Sequence, residues 1–283
     1  MTKLILSFFL LIAVTTAQLN AQHNVNNYTD LSTAITTLNT AGSGTINLTG
    51  DIVFGNTDQI LEISGNITIL GNGYSINGGG YSPLFKINNY TVAFNNLILT
   101  GGQSVNIALG SAAAIYNTGN LTITNSLIYD NLSVFSGGAI YNDGTLTIIN
   151  STITKNTSLG PIGSGGLNNS SSLILKNSIV WGNTGSQESD YWIDPDGLNY
   201  VLTQHSIIGD IDPTDPFEDY AGGDYRPSIT GAAYNNGENS NYLGDLDEDK
   251  DIIGRSRLGG ESIDIGAFEY PRLYIFKLMF TIS

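Results

Sequence analysis

The chain has 283 residues, 34 of them glycine, no cysteine, and a formal net charge of −15. No disulfide can staple it, and its acidity repels nucleic acid and anionic lipid, which excludes both as partners. The charge is uneven: residues 40–185 hold five acids and three bases, whereas residues 186–270 hold nineteen acids and four bases.

In chain order, Lys3 precedes an apolar run from Leu4 to Val14 and then small and polar residues. This reads as a secretory signal peptide over residues 1–21, cleaved after Ala17 or Ala21. The run is too short to span a bilayer, so no transmembrane span is expected. Asp30 then caps a short helix with Leu31, Ala34, Ile35 and Leu38 at helical spacing, a plug for the open end of a solenoid. Residues 44–54, 66–79 and 89–102 read as irregular first coils, with Ile67, Ile69 and Ile76 in the core of the second and Gly71, Gly73 and Gly78 at its corners.

Residues 114–183 then repeat one pattern three times: AIYNTGNLTITNSLIYDN, AIYNDGTLTIINSTITKN and GLNNSSSLILKNSIVWGN. Leu121, Leu146 and Leu173 share a column, as do Ile123, Ile148 and Leu175. So short a unit cannot bury its own apolar side chains, but stacked copies can. The fold class that follows is all-β: a parallel β-helix of six or seven coils over residues 28–185, capped by the helix. Side chains alternate along a strand, sending Leu and Ile inward and Thr outward. At a coil spacing of about 4.8 Å, Asn125, Asn150 and Asn177 are expected to bond amide to amide at a left-handed corner. Asn131, Asn156 and Asn183 form a second such column. The Asn-x-Ser/Thr triplets are by-products of these ladders.

Repetition stops after Asn183. Residues 186–270 read as an irregular acidic segment that closes the β-helix, ending in a strand over 262–270, SIDIGAFEY. Residues 271–283 follow no pattern.

Three constellations bear on chemistry. A polysaccharide lyase needs cations and a base, yet all four arginines lie beyond residue 225, and the coils lack that equipment. A glycoside hydrolase needs two carboxyls about 5–9.5 Å apart; Asp130 faces Lys155, and Asp143 faces Thr118 and Ser170, so only excursion acids such as Asp210, Asp212 and Asp215 could supply a pair. The alternating Asp245, Asp247, Asp249 and Asp251 resemble the start of a calcium loop, making Ca2+ the one candidate cofactor. Lys250 stands where that loop has glycine, however, and Ser256 where it has glutamate. Tyr116 and Tyr141 share one outward column and Tyr129 and Trp181 another, a pattern on which a sugar chain stacks.

The coil GGAIYN…LTIINSTITKN, Gly137 to Asn156, resembles the coils of the pectin-lyase-like superfamily and the repeats of polymorphic outer membrane proteins. NSIVWGN (177–183), SIIGDIDPTDPFEDYAGGDYRPS (206–228) and DIGAFEY (264–270) resemble the closing motifs of bacterial choice-of-anchor Q proteins. The resemblance implies a secreted or surface-displayed β-helix without inherited catalytic residues. Together with the general preference of parallel crossovers, it implies a right-handed coil. The expected role is structural or adhesive and non-catalytic, with a polysaccharide or cell-surface glycan as partner and no particular oligomeric state. The alternative is a carbohydrate-active enzyme, a polysaccharide lyase or glycoside hydrolase, with acids from residues 186–251.

Overall fold

A computed structural model describes residues 21–57, 59–105, 111–161, 163–186, 188–193, 200–246, 248–258 and 261–270. The signal-peptide reading, apart from Ala21, and the tail 271–283 lie outside the described residues. The chain winds into a parallel β-solenoid of about seven turns. Its turns feed an eight-stranded, a seven-stranded and a six-stranded sheet, each ordered along the stack.

The three clear repeats show why. Asn120–Thr124, Thr145–Ile149 and Ser172–Lys176 pair in the eight-stranded sheet, with Leu121, Leu146 and Leu173 in one row and Ile123, Ile148 and Leu175 in another. Ile115–Asn117, Ile140–Asn142 and Leu167–Asn169 pair in the six-stranded sheet. Leu127–Tyr129, Thr152–Thr154 and Ile179–Val180 pair in the seven-stranded sheet. Rows Leu121/Leu146/Leu173 and Ile123/Ile148/Leu175 are buried in the bore, together with Ile128, Ile153 and Val180. Each such side chain contributes about 1.5–3 kcal/mol before chain entropy is subtracted.

The helix, Tyr28–Ala41, buries the expected Leu31, Ala34, Ile35 and Leu38. Its cap is Asn27 rather than Asp30. The Asn27 side chain accepts from the Asp30 backbone N–H at 2.9 Å, so Asp30 sits inside the first turn. There it favours the positive helix end as an acid. Gly42 closes the helix at φ 86°, a left-handed cap.

The corner columns divide in two. Asn96, Asn125, Asn150, Asn177 and His205 each follow a strand of the eight-stranded sheet, at φ between 45° and 53°. The left-handed corner is therefore as expected, but the amide ladder is not. Asn125 donates to the Tyr242 hydroxyl, and Asn177 to the Glu238 carbonyl. These amides bond to the C-terminal segment instead of to each other. The second column does form the ladder: Asn131 donates to Asn156 at 2.8 Å and Asn156 to Asn183 at 2.9 Å. A third, unanticipated ladder runs from Asn117 to Asn142 at 2.7 Å and on to Asn169 at 2.6 Å.

One coil lies beyond the apparent end of the repeat. Val201–Gln204, Ile207–Ile208 and Tyr191–Ile193 each pair with the preceding coil. His205 takes the corner that asparagine holds elsewhere, which hid the register in the sequence. The segment 262–270 is not a strand. It runs along the outer face of the seven-stranded sheet, where Ile265, Ala267 and Phe268 pack on a cluster with Leu127, Ile179 and Ile207. Buried carboxylates take the backbone N–H groups a strand would pair: Glu269 accepts from Asp264 N, Asp264 from Tyr270 N, and Asp251 from Glu269 N. Gly266 at φ 107° also breaks the extended alternation.

Candidate functional site

The six-stranded sheet aligns one residue per coil in a row, Glu62, Lys86, Tyr116, Tyr141, Asn168 and Trp192, of which Asn168 is buried, with its amide donating to Ser136 O. The parallel register causes this, because equivalent positions of successive coils lie side by side. Tyr116 and Tyr141 stack with centroids 5.5 Å apart and planes 19° from parallel. Their inner faces are used on each other, which leaves ring edges and hydroxyls at the surface of the sheet. Tyr141 Oη accepts from Ser170 Oγ at 3.2 Å. Burial, then the nearby Asp143, pushes the Tyr116 hydroxyl above its usual range, so it remains a neutral donor. Lys86 and Glu62 pair at 3.4 Å and continue the column as an exposed ion pair.

The second aromatic pair lies elsewhere. Tyr129 and Trp181 are on the seven-stranded sheet, and the antiparallel hairpin Phe217–Asp219 and Asp224–Pro227 covers them. Trp181 meets Tyr220 edge-on at 5.0 Å and Phe217 at 5.9 Å, while Tyr129 lies 5.8 Å from Tyr225. Lys155 Nζ completes the cluster 5.0 Å from the Tyr220 ring centroid. The sequence does carry a signal of this cover. SLIY and SIVW are apolar on both faces where an exposed strand would alternate.

Of the four aspartates with calcium-loop spacing, Asp247 lies outside the described residues. Asp249 Oδ2 accepts from the Tyr242 hydroxyl and from Asp245 N. Asp251 is fully buried and accepts from Ile253 N, Arg255 N and Glu269 N. These two carboxylates organise the local backbone. Among the described residues, no group of three or more His, Cys, Asp or Glu side chains is placed to hold a metal ion.

The excursion acids place Asp190 beside Asp210. Asp190 Oδ1 accepts from both the backbone N and the Nδ2 of Asn183, each at 2.8 Å. It thereby ends the Asn131–Asn156–Asn183 ladder. Asp210 accepts from Ser189 N, Asp190 N and Tyr191 N. Burial raises the Asp190 carboxyl from 3.8 to about 6, with the Asp210 charge adding to the effect and the Asn183 hydrogen bonds opposing it. The folded state therefore holds this proton more tightly than the unfolded chain. The group's contribution to stability is greatest below about pH 4, falls up to about pH 6, and stays low above that. Asp190→Asn should gain on the parent by up to about 3 kcal/mol between about pH 3.5 and 7. Denaturant titration at the two pH values measures this, and an identical difference at both would show that Asp190 titrates normally.

No family model matches this chain, and no curated protein matches it. Among the described residues no helix is long and apolar enough to cross a membrane.

Proposed function

We propose that this protein is a secreted or surface-displayed β-helix with a non-catalytic, structural and adhesive role, and that it grips polysaccharide along the six-stranded sheet. The supporting observation is the outward run from Glu62 to Tyr141, which sets charged and aromatic groups at one coil spacing. A glycan chain is also a line of repeated units, and edge and hydroxyl contacts from Tyr116 and Tyr141 suit its polar rim. The resemblance of the closing motifs to choice-of-anchor Q proteins supports display at a bacterial surface. The leader-like residues 1–21 support export.

A second reading, a carbohydrate-active enzyme, draws on the raised Asp190 carboxyl beside Asp210. Against it, Asp190 is 4% exposed and wedged between Asn183 and Gly209, where a Cβ would come within 2.1 Å of Oδ2. Both acids are engaged in holding the last coil.

A glycan array on the chain from residue 22 to 270, read for retention and for released reducing or unsaturated ends, separates the readings. Retention without release is expected. The double variant Tyr116→Ala/Tyr141→Ala should weaken it about tenfold, the scale of one or two lost polar or aromatic contacts. Undiminished retention by the variant would sink the assignment to this face, and released ends would favour the enzyme.

A further inference from the structure

The strands Tyr191–Ile193, Val201–Gln204 and Ile207–Ile208 of the final coil each end their sheet, so among the described residues they pair on one side only. A terminal repeat held by a single neighbour is the part of a stack that opens first. Val201 is half-buried, where Leu173, its counterpart one coil back, is fully buried. Two buried polar atoms at this end, Trp181 Nε1 and Tyr191 Oη, have no partner among the described residues, which costs the docked coil further.

A pair of acids holds the junction of these strands. Asp210, just after Ile207–Ile208, takes the N–H groups of Ser189, Asp190 and Tyr191. Asp190, just before Tyr191–Ile193, ties back to Asn183 of the preceding coil. The two carboxyls therefore meet where the final coil closes on itself and on its neighbour. Away from Asn183, the Asp190 carboxyl is packed by Gly209 and the Trp181 indole: a Cβ on Gly209 would lie 2.1 Å from Asp190 Oδ2 and 2.8 Å from Trp181 Cδ1. The titratable groups that face it are Asp210 and, from the covering hairpin, Tyr220, with Lys155 Nζ beyond, 5.0 Å from the Tyr220 ring centroid. Among the described residues no cation pairs with Asp190. Ionised, it is a buried charge beside a second acid; protonated, it is neutral.

We propose that this carboxyl pair is a pH-sensitive latch on the C-terminal end of the solenoid. With Asp190 protonated the final coil stays docked, and on ionisation its strands loosen from the coil before while the rest of the stack persists. The docked coil raises the Asp190 carboxyl from 3.8 to about 6. An opened coil returns it to its ordinary value, so opening becomes up to about a hundredfold more favourable between about pH 3.5 and 7. Loosening bares Leu167, Leu173, Leu175 and Val180 with the strand edges that carry them, a template on which further strands pair.

Hydrogen exchange of the full chain, read on fragments 201–209 and 145–149 and corrected for the intrinsic pH dependence of amide exchange, tests the latch. The first fragment holds the Ile207 and Gly209 N–H groups, which donate to Ser178 O and Val180 O of the coil before. At pH 7 it should be less protected than residues 145–149, and its protection should rise by up to about a hundredfold at pH 4. In Asp190→Asn that rise should shrink by about tenfold or more. Equal protection of the two fragments at pH 7, or the parent's full pH dependence in the variant, would overturn the proposal. Should the variant misfold, the chain's two tryptophans carry the test in the parent, since Trp181 lies under the hairpin and Trp192 on a strand of the final coil. In denaturant at pH 7 the tryptophan emission should change before the far-UV circular dichroism is lost, and coincident transitions would overturn the latch.

Discussion

Arg257→Met is expected to cost about 3–5 kcal/mol, the scale for removing one partner from a buried ion pair. The guanidinium is fully buried and donates to Gly266 O, Ala267 O, Asn150 O, Asn125 Oδ1 and Glu269 Oε1 at 2.8–3.3 Å. It ties the segment around residues 257–269 to the corners of two adjacent coils, at Asn125 and Asn150. Burial pushes the Glu269 carboxyl up and Arg257 pulls it back, so removing the arginine raises it further and leaves Glu269 without its charged partner. The variant should release the C-terminal segment first, seen as new protease cleavage between residues 230 and 270 while the coils persist. Arg257→Met/Glu269→Leu should recover part of the loss, because it removes both charges together. A loss under about 1 kcal/mol would mean the segment is held by its apolar contacts alone.

Asn156→Ala should be comparably severe, about 3–5 kcal/mol by denaturant titration, as several buried groups lose their partner at once. Its Nδ2 donates to Ile128 O, Thr154 O and Asn183 Oδ1, and its Oδ1 accepts from the backbone N and the Nδ2 of Asn131. Asn156→Asp keeps the shape but turns the amide donor into a second acceptor oxygen facing two carbonyls and an amide oxygen. It should be worse than alanine at neutral pH. A cost no larger than that of an exposed strand residue such as Asn120→Ala would show the ladder to be ornamental.

How much of this was legible in the sequence depended on the range of the interaction. The bore was legible because Leu121, Leu146 and Leu173 repeat at the coil length, and local alternation sends them inward. The helix was placed correctly but its cap misassigned, since Asn27 and Asp30 are both competent capping residues and only the backbone distinguishes them. The final coil was missed because one corner carries His205 instead of asparagine. At the candidate site, the Tyr116–Tyr141 column followed from spacing, whereas its stacked geometry did not. The cover over Tyr129 and Trp181, like the path of residues 251–269, depends on acids and backbone N–H groups far apart in the chain, and no local pattern encodes such pairs.

The Asn131–Asn156–Asn183 ladder also has a direction. Every amide donates toward the C-terminal coil, so the small dipoles add head to tail, as peptide groups do in a helix. The column's positive end falls at Asn183, and the group waiting there is the Asp190 carboxylate. A carboxylate can accept and, when ionised, has nothing to pass on. Asparagine carries the ladder on by one coil, and the Asp190 carboxylate, reached from the excursion seven residues on, closes it although one more coil stacks beyond.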